Sequence, residues 1–170
     1  MRPEYAEEKE KEDWKLMEDF NSKLKLKNLT RHNEKHTTDA FGYTANDEYV
    51  NIELKYRCQK LNNELHIEGI SREGKQYTAS TIYIESHKIA DMLLDFITEK
   101  KIPLYVNFLS DGSVIVFNLS KLKHRPNKVA KRIWSELYQG FELAKRQELR
   151  IEDAYIYKKE NNQYRIIHKP

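Results

Sequence analysis

Thr37–Arg57 reads TTDAFGYTANDEYVNIELKYR, and its second half switches the chain to a period of two. Val50, Ile52, Leu54 and Tyr56 alternate with Asn51, Glu53, Lys55 and Arg57, which predicts a strand with one apolar and one polar face. The preceding DAFGYT is short and aromatic, and Ala45-Asn46-Asp47 supplies turn chemistry between the two, so the stretch predicts a β-hairpin. With that three-residue loop, paired residue numbers sum to 92, so Thr44 faces Glu48, Tyr43 faces Tyr49 and Asp39 faces Glu53. A two-residue loop would shift the register by one and separate the two acids.

Directly opposed residues of an antiparallel pair have α-carbons about 4.5–5.5 Å apart. Two carboxylates so placed repel by up to roughly 1 kcal/mol. Lys55 lies two residues from Glu53 and projects from the same face. One ammonium cannot fully balance two carboxylates, whereas a divalent cation can. Mg²⁺ is typically held by one or two carboxylates together with waters and phosphate oxygens. The competing reading is a solvated charged face whose ion pair contributes little.

Outward from the hairpin, Trp14, Met17, Phe20 and Leu24 recur at helical spacing and predict a helix over roughly 6–25. Residues 26–37 have no clear period and read as a basic, histidine-containing loop. A strand is expected at 77–84, and Ser86 is placed to cap a helix reaching about Lys100, with Ile89, Leu93, Phe96 and Ile97 on its inner face. LYVNFL and VIVFNL flank Asp111-Gly112, a hairpin signal between runs apolar enough to be central strands. A helix over roughly 127–147 carries Val129, Ile133, Leu137 and Ala144, and the tail reads as one more hairpin. The order predicts a mixed α/β fold, a central β-sheet flanked by helices, in a single domain spanning 1–170.

This arrangement resembles the PD-(D/E)XK nuclease superfamily. Asp39 is followed, after thirteen intervening residues, by Glu53-Leu54-Lys55 on a hairpin behind an N-terminal helix, and a strand, a helix and a strand pair come next. The resemblance covers roughly 10–122, with Thr38 standing where the family name has Pro and a basic helix and C-terminal hairpin beyond it. It implies a restriction endonuclease-like core and a Mg²⁺- or Mn²⁺-dependent nuclease acting on DNA. Asp39 and Glu53 would be metal ligands and catalytic residues, with the Leu54 carbonyl as a third ligand. Lys55 would position or activate the attacking water. The superfamily often carries an acid on its first helix near the metals, for which Glu18 is the candidate against a solvated helix face. Polar residues at the start of the second helix, here Glu85 and Lys88, often approach the site, and Lys88 would be an accessory contact.

Lys121, Lys123, Arg125, Lys128, Lys131 and Arg132 cluster without an acid, a composition that binds phosphates through counterion release or simply solvates a helix start. Tyr155, Tyr157 and Tyr164 suit base stacking or a strand's core face. His32 and His36, four apart on a segment that does not read as helix and with no third ligand, argue against a zinc site. Cys58 is the only cysteine, which excludes an internal disulfide and a cysteine-cluster zinc site, and no local signature marks it as a nucleophile. No apolar run approaches the roughly 20 residues of a membrane span, and the charged N-terminus lacks a signal-peptide core, so a cytoplasmic protein is expected. A homodimer would suit two-strand cleavage. With no separate recognition domain, structure-directed or nonspecific cutting is expected over sequence-specific cutting. The alternatives are a non-catalytic nucleic-acid-binding or assembly module on the same fold, and an interaction protein whose basic segment meets an acidic partner.

Overall fold

The computed structural model describes residues 4–33, 36–71, 73–135 and 140–170, the side chains of 4–10, 131–135 and 140–143 excepted. Helix α1 (Glu4–Leu24) leads into strands β1 (Lys27–Arg31), β2 (Ala40–Tyr43) and β3 (Tyr49–Arg57). Three short strands follow, β4 (Lys60–Leu61), β5 (Ile67–Ile70) and β6 (Gln76–Ala79), and then β7 (Thr81–Glu85) runs directly into α2 (Ser86–Glu99). The remainder is extended: β8 (Ile102–Leu109), β9 (Val114–Asn118), β10 (Asn127–Ser135), β11 (Gly140–Arg150), β12 (Tyr155–Glu160) and β13 (Gln163–His168).

The main sheet has seven strands in the order β1-β2-β3-β8-β9-β12-β13. Its β3–β8 pair is parallel and its other pairs are antiparallel. Parallel neighbours need a long crossover, and the connection that carries α2 supplies it. Alternation along β3 and β8 sends Val50, Ile52, Val106 and Phe108 to one face, where α1 buries Met17 and Phe20 against them. Phe20 meets Phe108, Tyr157 and Tyr164 edge-on, with ring centroids 6.1, 5.1 and 4.9 Å away. The residues between them in β8 and β9, including Tyr105, Leu109, Ile115 and Phe117, face a second core made with Ile89 and Met92 of α2 and Ile82 and Ile84 of β7. The protein is therefore a mixed α/β fold whose central sheet is flanked by two helices. Among the described residues, no helix is long and apolar enough to cross a membrane.

Several expectations are corrected. The helix over 127–147 is instead the β10–β11 hairpin, paired from Asn127↔Glu148 to Ser135↔Gly140; residues 136–139, Leu137 among them, lie outside the described ones. Its sequence is rich in helix formers, but β11 also pairs with β7 from Arg146↔Glu85 to Arg150↔Thr81. The hairpin's own ladder and the long-range ladder to β7 together override a local propensity worth only tenths of a kcal/mol per residue. The loop expected at 26–37 contains edge strand β1, added to β2 across an irregular register. Helix α2 is capped by Glu85 rather than Ser86, without a side-chain cap bond, and Met92 replaces Ile97 on its buried face, Ile97 being 67% exposed. The Asp111-Gly112 turn is as expected: the Leu109 N–H donates to the Ser113 carbonyl at 2.9 Å, and Gly112 takes a φ of +82°.

Candidate active site

The hairpin register runs to Ala40 and Ile52, the neighbours of the first two acids. Ala40 pairs with Ile52, Phe41 with Asn51, Gly42 with Val50 and Tyr43 with Tyr49, the register of the three-residue loop. The Thr44 N–H donates to the Glu48 carbonyl at 2.9 Å, and Asp47 closes the turn at a φ of +62°, donating its N–H to the Thr44 carbonyl at 3.0 Å. Asp39 immediately precedes β2 and grips the residues on either side of Glu53. Its N–H donates to the Ile52 carbonyl at 3.0 Å, and its Oδ2 accepts the Leu54 N–H at 2.7 Å.

The polar face of β3 is not a solvent face. Helix α2 and strand β7 cover most of it, and Asn51, Glu53 and Arg57 each find a partner there. Asn51 Nδ2 donates to Asp95 Oδ2 at 2.8 Å. Arg57 donates to Asn107 Oδ1 at 2.7 Å, to the Tyr105 hydroxyl at 2.7 Å and to the Tyr83 carbonyl at 2.8 Å. Glu53, only 4% exposed, receives the Lys88 ammonium on Oε1 at 2.5 Å. Its second oxygen, Oε2, is sealed from solvent with no hydrogen-bond partner. A solvated strand face is thus excluded for Glu53. A buried carboxylate with an unmet oxygen is costly unless something pairs with it.

The electrostatics follow from this burial. Desolvation first, and the charge of Asp39 second, push the Glu53 carboxyl up to about 7 against the opposing pull of Lys88. Burial works to lower Lys88, but its bond to Glu53 and the charges of Glu53, Asp39 and Glu85 outweigh it and hold the ammonium above its usual range. For Glu85, burial is likewise outweighed, by its own backbone N–H and by Lys55, Lys88 and Arg146, so its carboxyl sits below the ordinary value. Three carboxylates therefore surround Lys88. Lys55 is exposed; it acts on Glu85, while the cation bonded to Glu53 is Lys88. The helical turn that begins at Ser86 carries Lys88 back over β3, a contact across 35 positions that strand parity could not reveal.

Asp39, Leu54 and Lys88 line a cleft of about 550 Å³ together with Asp13, Trp14, Arg31, His32, Asn33, His36 and Thr38. Glu18 is exposed on α1 and does not line it; Asp13 is the α1 acid that does. Its position beside Trp14, the first ring of the apolar stripe, was the available signal. Among the described residues no group of three or more His, Cys, Asp or Glu side chains is arranged to hold a metal. Two carboxylates, one with an unmet oxygen, beside an open cleft nonetheless fit Mg²⁺, which takes its remaining ligands from water and phosphate.

The other candidates separate. Lys121, Lys123, Arg125 and Lys128 are exposed, and the side chains of Lys131 and Arg132 lie outside the described residues. Within that segment Asp153 fixes His124, accepting its N–H at 3.0 Å and contacting its Nδ1 at 2.8 Å. The β10–β11 ladder runs on past Arg146↔Glu85, the last pair made with β7, so this basic ribbon leaves the sheet beside the acid that begins α2. Tyr157 and Tyr164 are core residues, while Tyr155 is 39% exposed. Cys58 is exposed and unpaired. His32 and His36 stack at 4.1 Å, and among the described residues no zinc site forms around them.

No family model matches the chain, and no curated protein matches it. Among solved structures it is similar to Hjc, a Holliday junction resolvase from Archaeoglobus fulgidus, with a TM-score of 0.47 and 10% identity over 82% of this chain and 84% of that one. At that distance, function is read from this chain's own side chains.

Proposed function

We propose that this protein is a divalent-metal-dependent nuclease that hydrolyses DNA phosphodiester bonds, directed by substrate structure or nonspecific rather than by sequence. The observation that carries this reading is Glu53: buried, near enough to Asp39 to feel its charge, and with Oε2 unmet. Asp39, Glu53 and the Leu54 carbonyl would hold Mg²⁺ or Mn²⁺. Bound there, the ion would neutralise phosphate charge and lower the pKa of a water. The Asp39–Leu54 bond orients one carboxylate and the packing of α2 orients the other, so both are in place before substrate arrives. The Lys88 ammonium lines the cleft beside Glu53 and would stabilise negative charge developing on an attacked phosphate there. Lys55, exposed at the strand's end, is available to the water or to a phosphate oxygen. Lys121, Lys123, Arg125 and Lys128 would hold the DNA backbone.

A second reading has a specific observation in its favour. Lys88 already partners Glu53, so the same residues could close as an ion cluster in a nucleic-acid-binding module without catalysis. Metal titration followed by calorimetry separates the two. The nuclease binds Mg²⁺ or Mn²⁺, Glu53→Gln does not, and cleavage of at least one of linear, supercoiled, branched or single-stranded DNA follows. Salt-dependent binding with no cleavage of any of these in either metal would establish the second reading. On both readings Lys121→Ala and Lys123→Ala should each reduce the slope of log affinity against log salt by about one, uniformly across sequences.

A further inference from the structure

A row of rings runs from the cleft across the outer strands of the main sheet. His36 stacks on His32 with centroids 4.1 Å apart and planes 20° from parallel. His32 lies 4.8 Å from Phe41 at 36°, and Phe41 stacks on Tyr49 at 5.4 Å and 5°. The Lys101 ammonium stands 5.3 Å from the Tyr49 ring centroid and ends the row. Tyr43 braces it edge-on against both Phe41 and Tyr49. Among the described residues, none of these rings belongs to either buried core. The row is therefore separate from the core in which Phe20 makes its edge contacts.

The row has an open end. His36 is exposed and lines the same cleft as Asp39, Lys88, Trp14 and Arg31. His32 Nε2 is shut off from solvent without a complete hydrogen bond, the Asn51 amide beside it being committed to Asp95. A flat ring on His36 would extend the stack, inside a cleft that Arg31 and Lys88 also line. Bases in duplex DNA are already stacked and paired, whereas an unpaired base gains about 1–3 kcal/mol by stacking on an aromatic ring.

Resting on the nucleic-acid reading above, we infer that the cleft takes an unpaired base stacked on His36 at the end of the His32–Phe41–Tyr49 row, so that the preferred substrate is single-stranded or frayed DNA. The test uses the full chain in EDTA with a fluorescent oligothymidylate strand and a duplex of equal length, read by anisotropy and by quenching of the tryptophan fluorescence to which Trp14 contributes. Wild type should prefer the single strand. His36→Ala should weaken single-strand binding by about fivefold or more with duplex binding unchanged, and His36→Phe, which restores a flat face, should recover it. Equal affinity of wild type for both probes, or equal losses on both in His36→Ala without recovery in His36→Phe, would overturn the inference. Because binding is measured without metal, selective single-strand binding by a protein that cuts nothing would sink the nuclease reading alone. Cleavage without that selectivity would sink only the stacked base.

Discussion

Asp39→Asn should abolish metal-dependent cleavage, by at least about 10³-fold, while leaving the protein folded. An asparagine Oδ1 can still accept the Leu54 N–H that Asp39 holds at 2.7 Å, so the hairpin keeps its anchor. The charge is lost, and with it one of the two carboxylates a hard divalent cation requires. Loss of a single preorganised electrostatic partner commonly costs roughly 10²–10³ in rate, and loss of the ion removes the water activation as well. The same substitution carries a signature independent of turnover. Asp39 is one of the charges that push Glu53 up, so the Glu53 carboxyl should titrate lower in Asp39→Asn, followed by carbon-detected NMR. Full cleavage by a folded Asp39→Asn protein would end the proposed role of this site. A Glu53 titration that does not move would show that the two acids are not neighbours in solution.

Glu53 should make the protein less stable as pH rises from about 4.5 to 7, measured by denaturant unfolding in EDTA. A carboxyl whose folded pKa lies above its unfolded value stabilises the fold while it is protonated. That contribution is complete below its ordinary value near 4.5 and is lost as pH rises through about 7. The gap between those values corresponds to a change on the order of 3 kcal/mol. Glu53→Gln lacks this titration, so its stability relative to wild type should climb by that order across the window and then level off. Lys88, held above its usual range, stays protonated throughout, and its pull on Glu53 is already contained in that carboxyl's folded value. Asp19 and Glu85, whose carboxyls are lowered, contribute stability that is lost only below the ordinary carboxylate range. His32, lowered by burial, acts oppositely near its own ordinary value but equally in both proteins. Saturating Mg²⁺ should flatten the wild-type decline, because an ion bound only to the ionised folded state offsets the loss. A stability difference independent of pH would contradict the buried, unmet carboxylate.

The elements that the sequence predicted well are those whose signal is local. Alternation in Val50–Arg57 predicts β3, the Ala45-Asn46-Asp47 loop predicts the register, and Asp111-Gly112 predicts the β8–β9 turn, because strand period and turn conformation are properties of a few adjacent residues. The misreadings share one origin. Residues 127–147 favour a helix by composition, yet β7 recruits β11 from more than sixty positions away in the chain. The Lys27–Arg31 edge strand exists only because β2 offers it an open edge.

The candidate site divides along the same line. The sequence alone determined the pairing of Ala40–Tyr43 with Tyr49–Ile52, since a turn and a parity are enough to say so; Asp39 departs from that register, its N–H going to the Ile52 carbonyl. The sequence also determined which side of β3 carries Glu53, Lys55 and Arg57. Whether that side meets water was decided only by tertiary structure, when α2 folded back across it. Burial raised the Glu53 carboxyl, Lys88 rather than Lys55 became its cation, and Asp13 rather than Glu18 reached the cleft. Desolvation depends on what covers a residue, and the covering element lies far from Glu53 in the chain.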